Sequence, residues 1–295
     1  TGGVGSAIAQ GGEAATRQSA IDEIVVTATK RETSLQDTAM SLSVVTGEDL
    51  QNRGFTNPGE FINTIPGLAV TTQQPGVLRI NMRGVSTSNV NVGRSTTAVY
   101  IDEFPLSEAA RDIRLIDVER VEVLKGPQGT LYGQSSMGGT IRYITNKPSD
   151  EGFSGDINSY VSSYGDSDGL NYGLNGHINM PLTDNLTLRA VAYRFDNDGY
   201  VDYKGAFPEE DGNKEETNGG RLALKWDISD SVALNYMYLN QRVDSGEARI
   251  SETFDLTPTG PVVLQAPDFD NFSDQNGNGI LVTDEVHNLK LDIGF

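Results

Sequence analysis

The sequence has 295 residues, 37% of them hydrophobic, no cysteine and a formal net charge of -19. No run approaches the roughly 18 apolar residues that a membrane-crossing helix needs, which excludes a helical membrane protein, and the lack of Cys excludes disulfides and thiolate metal sites. The charge is uneven: residues 1–150 carry 13 basic and 16 acidic side chains and residues 151–295 carry 9 and 25, so the second part repels nucleic acid and no such partner is expected.

Residues 1–20 contain "GSAIAQGG", where Ala7-Ile8-Ala9 before Gln10 has the small-x-small form of a secretory cleavage site. A signal-peptide remnant is expected there, with an ordinary Gly/Ala tail as the alternative. Next comes "IDEIVVTATK", whose Ile24-Val25-Val26-Thr27 core has the β-branched residues of a strand, followed by the charged Lys30-Arg31-Glu32. It reads as a strand without a partner.

From about Leu35 to Lys147 short helices and strands alternate with turn residues, an α+β pattern. Thr46 with Asp49 three residues on has the spacing of a capping box, opening a short helix that ends at Gly54. Asn57, Pro58 and Glu60 repeat the device ahead of Phe61, Ile62 and Ile65. "LRINMRG" alternates Leu78, Ile80 and Met82 against Arg79, Asn81 and Arg83, as a half-buried strand does. "TAVYIDEFPL", "ERVEVLKG" and "GTIRYITNKP" read as further strands. The Gly-rich stretch "GPQGTLYGQSSMGG" lacks the order of a phosphate-binding loop and reads as tight turns.

Segments of residues 151–295 alternate almost perfectly. Leu170, Tyr172, Leu174, Ile178 and Met180 oppose Asn171, Gly173, Asn175, His177 and Asn179; Leu222, Leu224, Trp226 and Ile228 oppose Arg221, Ala223, Lys225 and Asp227. A soluble antiparallel sheet alternates in the same way. The connections distinguish the two readings, because "TDN" and "SDS" are short while "DNDGYVDYKGAFPEEDGNKEETN" and the stretch from Arg242 to Glu285 are long. Short turns at one rim and long acidic loops at the other fit an antiparallel transmembrane β-barrel in up-and-down order. About six strands are expected, too few to close around a domain, so the chain reads as the N-terminal part of a barrel.

No catalytic constellation stands out, and an enzyme is not expected. His177 and His287 lack a nucleophile partner by motif, and Glu209-Glu210 and Glu215-Glu216 read as solvated loop charges. "DQNGNGILVTDE" fits the spacing of a calcium loop: Asp274, Asn276 and Asn278 as side-chain ligands, Ile280 through its carbonyl and Glu285 as the bidentate closer. The flanks lack helices, so an extracellular Ca2+ loop is weighed against a solvated turn. No other cofactor is required.

"VERVEVLKGPQGTLYGQSSMGGTIRYITNKP" resembles the end of the plug domain of TonB-dependent outer-membrane receptors, and "NTIPGL", "RGVSTS" and "VYIDEFPL" resemble the family's other plug signatures in order. The resemblance implies a plug at residues 35–150, barrel strands at 151–295, and a TonB box with its linker at 21–34. The family's barrels have about twenty-two strands. Ile21, Asp22, Glu23, Ile24, Val25, Val26, Thr27 and Ala28 would then pair as an added strand with the inner membrane's energy-transducing TonB protein. Arg83, Gly84, Arg120, Glu122, Lys125, Gly126, Pro127, Gly129, Tyr132, Gly133, Gly138 and Gly139 match the plug motifs. Arg79, Arg83, Arg120, Glu122, Lys125 and Arg142 are expected mostly buried against the barrel wall, and residues 86–97 are expected to meet substrate. The implied function is active uptake across the bacterial outer membrane of a scarce small molecule or chelate such as a ferric siderophore, cobalamin or glycan. Ligand sensing without transport is the alternative; outer-membrane lipid would surround a monomer.

Overall fold

The computed structural model describes residues 25–26, 33–34, 41–74, 77–86, 95–106, 110–132, 136–165, 167, 169–200, 210–245 and 280–293. It divides into two compact units, Thr1–Ala39 and Met40–Phe295. In the first, β1 (Val25–Val26) pairs antiparallel with β2 (Thr33–Ser34), Val25 opposite Ser34 and Val26 opposite Thr33. The β-branched segment that reads as unpartnered in sequence thus has a short partner a few residues on.

The second unit opens with β3 (Leu42–Thr46), which feeds α1 (Gly47–Asn52). Thr46 is the extended N-cap, and its Oγ1 accepts from the Asp49 amide at 3.1 Å. In α2 (Pro58–Ile62) the capping box closes in both directions, with the Asn57 side chain accepting from the Glu60 amide and Glu60 Oε2 from the Asn57 amide, each at 3.2 Å. These bonds satisfy amides that a helix start leaves open, and let helices of one or two turns persist. Leu50, Phe61 and Ile62 are their buried faces.

Strands β4 (Leu68–Gln74), β5 (Val77–Met82), β6 (Thr97–Ile101), β7 (Phe104–Pro105), β8 (Ala110–Arg111) and β9 (Val118–Lys125) follow, then α3 (Gly129–Tyr132) and β10 (Gly139–Thr145). They form a five-stranded sheet in the order β3-β9-β10-β6-β7, with β10 and β6 parallel, and a smaller sheet β4-β5-β8. Val121, Val123, Ile141 and Tyr143 of the larger sheet share one core with Phe61, Ile62 and Met82. Gly139 is required where the sheets meet: its φ is +149°, and a Cβ there would lie 2.2 Å from the Leu124 carbonyl oxygen and 2.3 Å from Met82 Sδ.

The rest is an antiparallel meander of β11 (Ser154–Ser162), β12 (Asn171–Thr183), β13 (Leu186–Asn197), β14 (Glu215–Ser229), β15 (Val232–Ser245) and β16 (Ile280–Ile293), each bonded to the next. Among the described residues this sheet does not close on itself. Strands β14 and β15 run further toward the long-loop rim than their alternation suggests. Gly220 interrupts the apolar row of β14 and Gly219 the inward row, yet the ladder continues: a Cβ on Gly219 would meet Tyr193 Oη at 2.6 Å, so the glycine makes room for that ring.

The two faces of the meander invert the usual order of a soluble protein. Leu174, Leu222 and Leu291 are 54%, 47% and 55% exposed, whereas Asn179, Arg221 and Gln241 on the opposite face are 1%, 4% and 0% exposed. Exposed apolar side chains outward, and inward a mixture of buried polar ones with apolar Val191, Met237, Leu239 and Val243, suit a wall between lipid and a filled lumen. Toward the long-loop rim the outward row turns polar: Arg194 pairs with Glu216 at 3.0 Å and Arg242 with Asp244 at 3.4 Å.

Candidate functional site: the seam between plug and wall

The loop joining β8 to β9, residues 112–117, carries a dense set of polar contacts from the small domain to the inner face of the wall. Asp117 takes a left-handed backbone, φ +57°, which Asp tolerates better than most residues. This turn aims its carboxylate at the wall. Arg189 of β13 grips it bidentately at 2.6 and 2.7 Å, Arg221 of β14 adds a bond at 2.7 Å, and the Asn146 amide donates at 2.8 Å. Arg221 also reaches the Asp117 carbonyl at 2.9 Å. Burial pushes the Asp117 carboxyl up, but the Arg189 hydrogen bond with the Arg221 and Arg189 charges outweighs it and holds it below the ordinary carboxylate range.

At the other end of the loop Arg114 crosses to β14, bonding Glu215 and, at 2.9 Å, Thr217 Oγ1, with its guanidinium 5.3 Å from the Phe195 ring centroid. Gln241 of β15, wholly buried, is the pivot: its Oε1 accepts from the Arg114 amide at 2.9 Å and the Tyr193 hydroxyl at 3.0 Å, and its Nε2 donates to the Asp112 carbonyl at 2.8 Å. His177 of β12 faces inward, bonded to Asp156 and 3.9 Å from Asp117. Glu215, read in sequence as a solvated loop charge, belongs instead to β14, because Arg114 gives it an ionic partner inside the wall.

The sequence-predicted plug residues fall elsewhere. Glu122 and Arg142 are cross-strand partners on β9 and β10, wholly buried, and bond each other at 2.7 Å. Arg120 joins through Glu122 at 2.9 Å, and Arg142 reaches Glu103 at 2.6 Å. Tyr132 of α3 lies over this pair, its ring centroid 5.7 Å from the Arg142 guanidinium. Burial above all pushes the Tyr132 phenol up to about 12. Arg83 is exposed and donates to Ser41 Oγ at 2.5 Å, while the Lys125 amide donates to the Ser41 carbonyl at 2.9 Å. Burial and then the Arg83 charge lower the Lys125 ammonium.

The glycines of the motif shape turns. Gly84 and Gly126 have φ of +82° and +110°, the Gly126 amide donates to the Gly138 carbonyl at 2.9 Å, and Pro127 and Gly129 are exposed. Gly133, Ile21–Ile24, Thr27, Ala28, Asp274, Asn276, Asn278 and most of residues 86–97 lie outside the described residues. Ile280 and Glu285 fall on β16, where an extended rise of about 3.4 Å per residue sets their Cα atoms about 17 Å apart.

Sequence reasoning overlooked Asp117, Arg114, Arg189 and Gln241. The available signal was Arg221 on the wet row of its strand, since an arginine that faces inward needs an acid.

A family model described as TonB-dependent Receptor Plug Domain matches residues 34–140. The pesticin receptor of Yersinia pestis is 34% identical over 172 residues, which are 54% of this chain and 25% of that protein. The ferric enterobactin receptor of Pseudomonas aeruginosa is 30% identical over 191 residues, 57% of this chain and 24% of that one. The chain spans about a quarter of the length of these relatives. The crystal structure of the ferric yersiniabactin uptake receptor from Yersinia pestis superposes with a TM-score of 0.62 at 26% identity, covering 70% of this chain and 32% of that one. A Pseudomonas aeruginosa receptor bound to a heterologous pyoverdine shares the fold over 92% of this chain and 34% of its own, with a TM-score of 0.70 at 22% identity.

Proposed function

Because this chain belongs to the TonB-dependent receptors of the bacterial outer membrane, we propose that its receptor imports a ferric siderophore, using work delivered through residues 21–28. The observation that carries this reading is the inverted wall with a plug held to its inner face by hydrogen-bonded charge. The seam is mixed: Met237, Leu239 and Val286 of the wall share the plug's hydrophobic cluster and Ile116 packs on Val191, Tyr193 and Phe195, while water can take over each of the hydrogen bonds between them as it breaks. The relatives named for ferric enterobactin and ferric yersiniabactin support an iron chelate over cobalamin or a glycan. The energy-transducing partner would add its sheet edge to the Val25–Val26 strand.

The test is radiolabelled iron accumulation from a panel of siderophores in cells with and without the intact gene, with a protonophore arm. The expected result is loss of accumulation for one siderophore class on deletion and on protonophore treatment. Unchanged iron uptake with a growth defect on cobalamin or a glycan would replace the iron reading. Binding without accumulation would replace transport by sensing.

A further inference from the structure

The two ends of the seam loop differ in their charge balance. Asp117 is saturated by two guanidinium groups and an amide. Asp112 has a buried Oδ1 without a hydrogen-bond partner. The groups that act on it are Arg114 of its own loop, Glu60 of α2 and Glu215 of β14, while Tyr143 of β10 and Tyr193 of β13 complete the surroundings it shares with Arg114. The Arg114 guanidinium is taken up by Glu215 and Thr217, and Glu60 by the Thr56 and Asn57 amides, which leaves the Asp112 Oδ1 without a donor beside two other carboxylates. A carboxylate taken from water without a donor is expensive to keep ionised, and two like charges nearby add to that cost.

We propose that Asp112 is a proton-operated catch: with its proton on, the Arg114 end of the seam closes; with its proton off, that end loosens while the Asp117 end holds. Burial first, then Glu215 and Glu60, push the Asp112 carboxyl up to about 6 against the opposing pull of Arg114. The closed seam therefore keeps a proton that the opened loop would release. It loses stability as pH rises from about 4 to about 6, and stays weakened above. Asp117 behaves oppositely, since its depressed value means its grip is lost only as pH falls below the ordinary carboxylate range. The catch is a property of the seam and holds whatever the receptor carries.

The experiment uses the complete receptor in lipid vesicles and follows amide exchange of residues 110–117 from pH 4.5 to 7.5, corrected for the intrinsic pH dependence of exchange. Seam opening in the wild type should rise about tenfold between pH 5 and 7, from a value of about 6 when closed and 3.8 when open. Asp112→Asn should flatten that rise, and Glu215→Gln should move the midpoint downward. Carbon NMR of aspartate labelled at the side-chain carboxyl in the wild-type receptor reads the titration without requiring any variant to fold, and one aspartate should titrate near 6. An Asp112→Asn receptor that keeps the full pH response, or aspartates that all titrate near 4, would overturn the catch.

Discussion

Asp117 concentrates the seam into one side chain. Replacing it by Asn leaves Arg189 and Arg221 buried opposite a neutral amide, and removing one partner of a buried pair costs about 3–5 kcal/mol. Asp117→Asn should lower the thermal unfolding temperature of the receptor and speed amide exchange on both sides of the seam. A change confined to one or two degrees would mean that water already shares those bonds. Gly139 makes a second prediction of this size class: Ala there meets both a forbidden φ and the Leu124 carbonyl, and the cost exceeds about 1 kcal/mol. Folded yield of Gly139→Ala in the membrane fraction measures it. Neither residue's partner could be read locally. Asp117 and Arg221 are separated by 104 positions and Arg114 and Gln241 by 127, and no window of sequence holds both halves of such a pair.

Elements were far more legible than contacts, for reasons visible in individual residues. The Asn57–Glu60 box announces α2 because capping needs those side chains at that spacing, and the structure forms it in full. Asn57→Ala should therefore cost about 1 kcal/mol, seen as local exchange in α2 with little effect elsewhere. The row Leu222, Leu224, Trp226 and Ile228 announces a strand because the side-chain period of a pleat is two. Leu222→Lys puts a charge on the lipid face, where it costs about 2–4 kcal/mol near the bilayer midplane. Heat-modifiability on gels should report reduced insertion, whereas an unchanged receptor would argue that this face meets water. Strand ends were less legible: β14 begins at Glu215, seven residues before its apolar row, because glycines and small polar residues on a wall carry no periodic signal.

At the level of the whole molecule, a wall apolar outside and a domain bonded to its inside set the order in which things happen. On the proposed function, Val26→Pro removes an amide from the strand that would meet the partner sheet, so uptake should be lost while ligand binding by the purified receptor is unchanged; loss of both would point to faulty assembly. The plug's larger sheet carries one more lesson. Its first strand, β3, lies at the margin and is laddered to β9 alone, whereas β9, β10, β6 and β7 are stitched to one another independently of it. A tug transmitted through the chain ahead of Leu42 arrives at the outermost thread of the weave. On the proposed function that thread would be the first to come away, while the Glu122–Arg142 knot and the other four strands keep a template on which the missing edge can be sewn back.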